Sequence, residues 1–171
     1  MKKVISVLTF VTFISTICFA QKVIKFKTTE GKKAKVTIPG KLVTTLTPKD
    51  DSGNTEYYVE FDSKNQQVII SMVMYSGKSY MGSDVTYCKY DAFDKRFLSN
   101  IPLQEASSND RLMIEKFYSY SLSAKDKFPV KSNNSFTGVE STNETSRVAI
   151  RFSDEEVAKA FIIELKQNVG L

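Results

Sequence analysis

The chain of 171 residues contains no histidine, and that absence removes more chemistry than any other feature of its composition. Histidine is the commonest general base near neutral pH and the commonest transition-metal ligand. Without it, a Ser-His-Asp triad, a Cys-His pair and a His-based zinc site are all excluded. A serine-lysine pair would remain in principle, but no Ser-x-x-Lys occurs anywhere in the sequence. The inventory argues against an enzyme, and it calls for no cofactor and no metal.

Cysteine is scarce, with only Cys18 and Cys88. Long apolar runs are missing too. The best candidate is Val4 to Ile14, preceded by Lys2 and Lys3 and followed by the small-residue site Cys18-Phe19-Ala20 before Gln21. That is the order of a secretory signal peptide. A permanent span would need roughly 20 strongly apolar residues, and Ser6, Thr9, Thr12, Ser15 and Thr16 interrupt this one. The expectation is a signal at 1–20 and one α+β domain at 21–171, exported to the periplasm or secreted. The alternative is a lipoprotein anchored at Cys18, against which the bulky Ile17 stands beside the cysteine. With Cys18 gone no internal disulfide is left, and Tyr87-Cys88-Lys89-Tyr90 alternates like a strand. Cys88 is therefore expected to be a buried free thiol.

Apolar alternation dominates the first two thirds of the chain after Gln21 and predicts strands. Val23 to Thr28 and Ala34 to Ile38 read as a hairpin about Thr29-Glu30-Gly31-Lys32, stopped by Pro39-Gly40. Pro48 to Asn54 is dense in turn formers. Tyr57, Val59 and Phe61 alternate with polar neighbours, and a turn at Ser63–Gln66 leads into Gln67 to Tyr75, which is apolar on both faces and so predicts a central strand. Asp84 to Tyr90 is a weaker strand. Asp91 to Gln104 reads as irregular and Lys131 to Ser146 as mostly loop. Arg111 to Leu122 fits a helix or a strand, its aromatic content favouring the strand.

Val148, Ile150 and Phe152 make a last strand that runs into Ser153-Asp154-Glu155-Glu156. Ser153 and Glu156 predict a capping box, with Phe152 stapled to Val157. Ala158, Phe161, Ile162, Leu165 and Val169 recur at helical spacing and form one apolar stripe. The expected architecture is mostly antiparallel strands forming a bent sheet or partly open barrel, packed by one C-terminal amphipathic helix. The passage Arg151 to Phe161 resembles the strand-to-helix end of PH-like domains. It lacks the tryptophan usual in the eukaryotic PH helix, so inositol-phosphate binding is not implied. Val36-Thr37-Ile38-Pro39 resembles a segment of the PsbP/Mog1-like sandwich, the alternative plan.

Three short patterns imitate functional motifs. Gly77-Lys78-Ser79 echoes the end of a phosphate-binding loop, but Met72 stands where the first glycine belongs. Asp50 to Glu56 gathers oxygen ligands, yet Thr55 occupies the position where a calcium loop needs glycine. Asp91 with Asp94, and Asp154 with Glu155 and Glu156, pair carboxylates, but local spacing says nothing about a shared cleft and the second group is already explained as a helix start. They read as a turn, a turn and solvated charge.

Charge asymmetry is the feature above background. Gln21 to Lys49 holds eight lysines against Glu30 alone, whereas acids outnumber bases from Asp50 onward. In the first hairpin, Ile24, Phe26, Ala34, Val36 and Ile38 are expected to face the core, leaving Lys25, Lys27, Lys33 and Lys35 on the opposite face. Such a patch suits anionic lipid, lipopolysaccharide or an acidic envelope protein. It equally suits lysine protection of an exposed edge. The expectation is a non-catalytic binding or scaffold domain of the cell envelope that contacts no nucleic acid. The alternative is a small lipid carrier or hydrolase with a His-free site.

Overall fold

The computed structural model describes residues 21–48, 52–106 and 116–171. The expected signal at 1–20, Asp50 and Asp51 of the oxygen-rich turn, and residues 111–115 of the helix-or-strand segment lie outside the described residues.

The first hairpin forms as its alternation predicts. Strands β1 (Lys22–Lys27) and β2 (Lys33–Ile38) pair antiparallel as a separate two-stranded sheet. The large sheet contains β3 (Lys41–Leu46), β4 (Gly53–Asp62), β5 (Gln67–Ser76), β6 (Ser79–Lys89), β7 (Gln104–Ala106), β8 (Phe117–Asn134) and β9 (Glu140–Phe152). Its order is β3-β4-β5-β6-β8-β7, with β9 also paired to β8, and every pairing is antiparallel. Two short helical pieces, a 3-10 turn at Tyr90–Ala92 and α1 (Lys95–Ser99), connect β6 to β7, and α2 (Glu155–Val169) closes the chain.

The sheet curls into a half-barrel with the C-terminal helix against it, an α+β architecture. Curling follows from β8. Its first half lies between β7 and β9, and its second half pairs with β6. Between Ser123 and Phe128 its register against β9 breaks, so residues 124–127 of β8 stand opposite Ser146 alone. An excess of residues on one strand bends it and strengthens its twist.

The expected apolar stripe of α2 is the one that packs. Ala158, Phe161, Ile162, Leu165 and Val169 are all buried, and the Phe161 ring lies 5.4 Å from Phe152, 6.1 Å from Phe61 and 6.5 Å from Tyr120. Gly170 ends the helix in the left-handed region at φ 79°, which an L side chain rarely adopts. The central-strand reading of Gln67–Tyr75 also holds. Val68 and Ile70 face the main core, while Val73 packs with Ile24, Ile38, Tyr58 and Tyr80 beneath the hairpin. Cys88 is fully buried with a free thiol.

Several local readings are corrected. Lys131 to Ser146 is not mostly loop, because β8 runs to Asn134 and β9 starts at Glu140. These ends carry polar residues on both faces, and Glu140 to Glu144 are exposed throughout, so no burial imposes alternation there. Asp91 to Gln104 contains α1, whose first turn is capped by the Asp94 carboxylate accepting from the N–H groups of Arg96 and Phe97. At α2 the cap is Asp154, accepting from Val157 N–H at 3.0 Å, and not Ser153. Ser153 is drawn away by Thr44, whose hydroxyl oxygen accepts its N–H at 3.0 Å, and Val157 stays exposed. The predicted Ser153–Glu156 capping box is thus replaced by an aspartate cap, and Glu156 pairs with Lys159 instead. For Arg111 to Leu122, the described part from Phe117 is strand. Asp84 to Tyr90 belongs to a longer strand that starts at Ser79, and Tyr90 lies beyond its end.

Candidate functional site: the lysine face of the first hairpin

Antiparallel register puts Lys25 directly opposite Lys35 and Lys27 opposite Lys33. Side chains alternate faces with a period of two, so all four stand on one side of the hairpin. All four are exposed. On the other side, Ile24 and Ile38 are buried and Phe26 and Val36 are half-buried against β4, β5 and β6, with the Phe26 ring 4.8 Å from Tyr80. The segregation expected from the sequence is therefore present for these residues.

The hairpin is fastened at both ends. At its root the Lys22 ammonium donates to the Glu56 carboxylate at 2.6 Å, and the Tyr58 hydroxyl donates to the same oxygen at 2.6 Å. Burial opposes the charge on each, but the hydrogen bonds win, holding Lys22 above the usual lysine range and Glu56 below the usual carboxylate range. Burial and the Glu56 carboxylate push the Tyr58 phenol up to about 12. At the tip, the N–H and hydroxyl of Thr29 donate to the Phe136 carbonyl at 3.0 and 2.9 Å. Gly40 follows β2 at φ 94°, and a Cβ there would come within 2.7 Å of the Val59 carbonyl, so glycine lets the chain turn tightly against β4.

Lys22 and Lys32 have carboxylate partners in Glu56 and Glu30. Lys25, Lys27, Lys33 and Lys35 have none among the described residues. They enclose an open depression of about 710 Å³ to which Phe26 and Ala34 also contribute. Two like charges opposed across a strand pair are unfavourable. At roughly 5 Å in water each pair costs at most about 0.8 kcal/mol. An anion seated between the pairs would reverse the sign of that interaction.

Four of the candidate carboxylates have structural employment. Asp94 and Asp154 cap helices, and Glu155 and Glu156 pair with Lys159 at 2.9 and 3.0 Å. Gly77-Lys78 is the turn joining β5 to β6, where Gly77 N–H donates to the Ser52 carbonyl. Among the described residues no group of acids and cysteine is placed to hold a metal ion. No helix among them is long and apolar enough to cross a membrane.

Sequence reasoning missed a second concavity, of about 310 Å³, inside the half-barrel and lined from β4, β5, β6, β8 and β9. Its residues lie far apart in the chain, so no local motif announces it. The one available signal was the pair Arg147 and Arg151, interleaved with the buried Ile150. No protein-family model, curated protein or solved structure matches the chain.

Proposed function

We propose that the protein is an exported, non-catalytic binding module that docks reversibly on an anionic surface through Lys25, Lys27, Lys33 and Lys35. The single observation behind this reading is the pair of directly opposed, uncompensated lysine pairs on a hairpin pinned at both root and tip. The fold does not need them there, since the hairpin is held by its other face. An anionic bilayer is the partner that suits a broad, solvent-facing cationic patch. At about 1 kcal/mol per lysine near such a surface, four lysines supply roughly 4 kcal/mol, which corresponds to millimolar, readily reversible association.

Sedimentation with vesicles tests the reading. The protein purified from its native envelope, with its N-terminus defined by intact mass, should begin at Gln21. It should co-sediment with phosphatidylglycerol vesicles and not with phosphatidylcholine vesicles. Binding should collapse between low salt and ~1 M salt, as the screening length shrinks to about 3 Å. Replacing all four lysines with glutamine should abolish binding without unfolding the protein. Absence of low-salt binding, together with aggregation of the quadruple variant, would instead identify the lysines as protection of the hairpin edges. Lipopolysaccharide micelles present the same phosphate chemistry and form a parallel arm.

A further inference from the structure

We infer that the concavity inside the half-barrel is a second, separate site that takes a small monocarboxylic acid with an apolar body. Its volume, about 310 Å³, is at the lower end of the range for small-ligand cavities, roughly 300–1,000 Å³. Ile70 and Met72 of β5 and Val130 of β8 supply an apolar floor. Three donors, Tyr57 and the exposed Arg147 and Arg151, line the cavity around this floor. Tyr57 is only 2% exposed and lines the cavity from β4. Arg147 and Arg151, on β9, line the same cavity, and neither guanidinium has a carboxylate partner among the described residues. Burial raises the Tyr57 phenol while the charge of Arg151 opposes that rise, which fits a guanidinium whose field reaches the hydroxyl.

The chemistry of these donors selects the ligand. Two planar guanidinium forks and a phenol match the oxygens of a carboxylate, and charge-assisted bonds of this kind are the strong ones. Asp84 lines the cavity from β6, so a second negative group on the ligand would meet an unpaired carboxylate. A dicarboxylate is thereby disfavoured. The apolar floor requires a body of carbon, and α2 leaves this part of the barrel open because its stripe covers Phe61, Tyr120 and Phe152 elsewhere on the inner face.

Octanoate is the probe, with octan-1-ol, octylamine and octanedioate as comparisons. Titration calorimetry should show octanoate binding at a single site, with each comparison ligand at least about tenfold weaker. The methyl resonance of Met72 should shift on addition of octanoate. The Arg147→Gln/Arg151→Gln double variant should bind octanoate at least about tenfold more weakly, and Tyr57→Phe severalfold more weakly. Tyr57→Phe retains the ring in the core, so it remains informative if the arginine variant is unstable. The quadruple lysine variant should bind octanoate as the parent does, which separates this site from the hairpin face. No octanoate binding at millimolar concentration, tighter binding of octylamine or octanedioate, or undiminished binding by both the arginine and tyrosine variants would overturn the assignment.

Discussion

The hydroxyl of Thr44, on β3, lies 3.0 Å from the hydroxyl of Ser153 and accepts the Ser153 N–H at 3.0 Å. This contact joins one margin of the curled sheet to the end of β9, at the point where the chain leaves the sheet for α2. Thr44 is 6% exposed. Thr44→Val preserves shape and removes the acceptor, leaving the Ser153 N–H without its partner. The expected cost is about 1–3 kcal/mol, read as a lowered urea midpoint with an unchanged slope. A midpoint equal to that of the parent would mean that the seam is held elsewhere.

The Lys22–Glu56 clamp should make stability depend on pH. Glu56 titrates lower in the folded protein than its ordinary value of 4.5, so its contribution is complete above that value and is lost as pH falls through the folded pKa. Lys22 is raised above its ordinary 10.5, so its contribution is complete below that value and is lost as pH rises through the folded pKa. Glu56→Gln should therefore flatten part of the acid limb of stability against pH. It should also speed hydrogen exchange of the β1 and β2 amides, and an unaltered exchange pattern would show that the hairpin does not depend on the clamp.

Cys88 is 0% exposed, and burial pushes its thiol well above the ordinary value of 9.0. The thiolate is the nucleophile, so the native protein should resist thiol reagents at neutral pH and react fully once denatured. Fast labelling under native conditions would place the side chain outside the core.

Phe161 is the aromatic hub of the helix–sheet contact. Phe161→Ala should destabilise by about 3–5 kcal/mol, whereas Ile163→Ala, on the exposed side of the same helix at 56% exposure, should change stability by about 0.5 kcal/mol or less. Chemical denaturation of the two variants side by side provides the check. Similar losses in both would contradict the observed orientation of α2.

The sequence by itself determined whatever depends on neighbours along the chain. Alternation was enough to place β1 and β2 and to divide lysine from apolar residues on them, because a period of two assigns faces without reference to the rest of the molecule. The stripe of α2 was legible for the same reason, since i, i+3 and i+4 residues share a face whatever they pack against. The two-sided apolarity of β5 was legible as well, and the hairpin lying on its outer face is the cause. Tertiary structure decided the remainder. Glu140 to Thr145 is a strand because the adjacent β8 supplies its hydrogen bonds across a hairpin, and a polar stretch without alternation gives no period from which to read it. Ser153 lost its capping role to Thr44, 109 residues away, a competition that local capping rules cannot register. The meeting of Tyr57, Arg147 and Arg151 exists only because the sheet curls. Curvature set by a register break in β8 brings β9 round to β4, and no spacing along the chain records that approach.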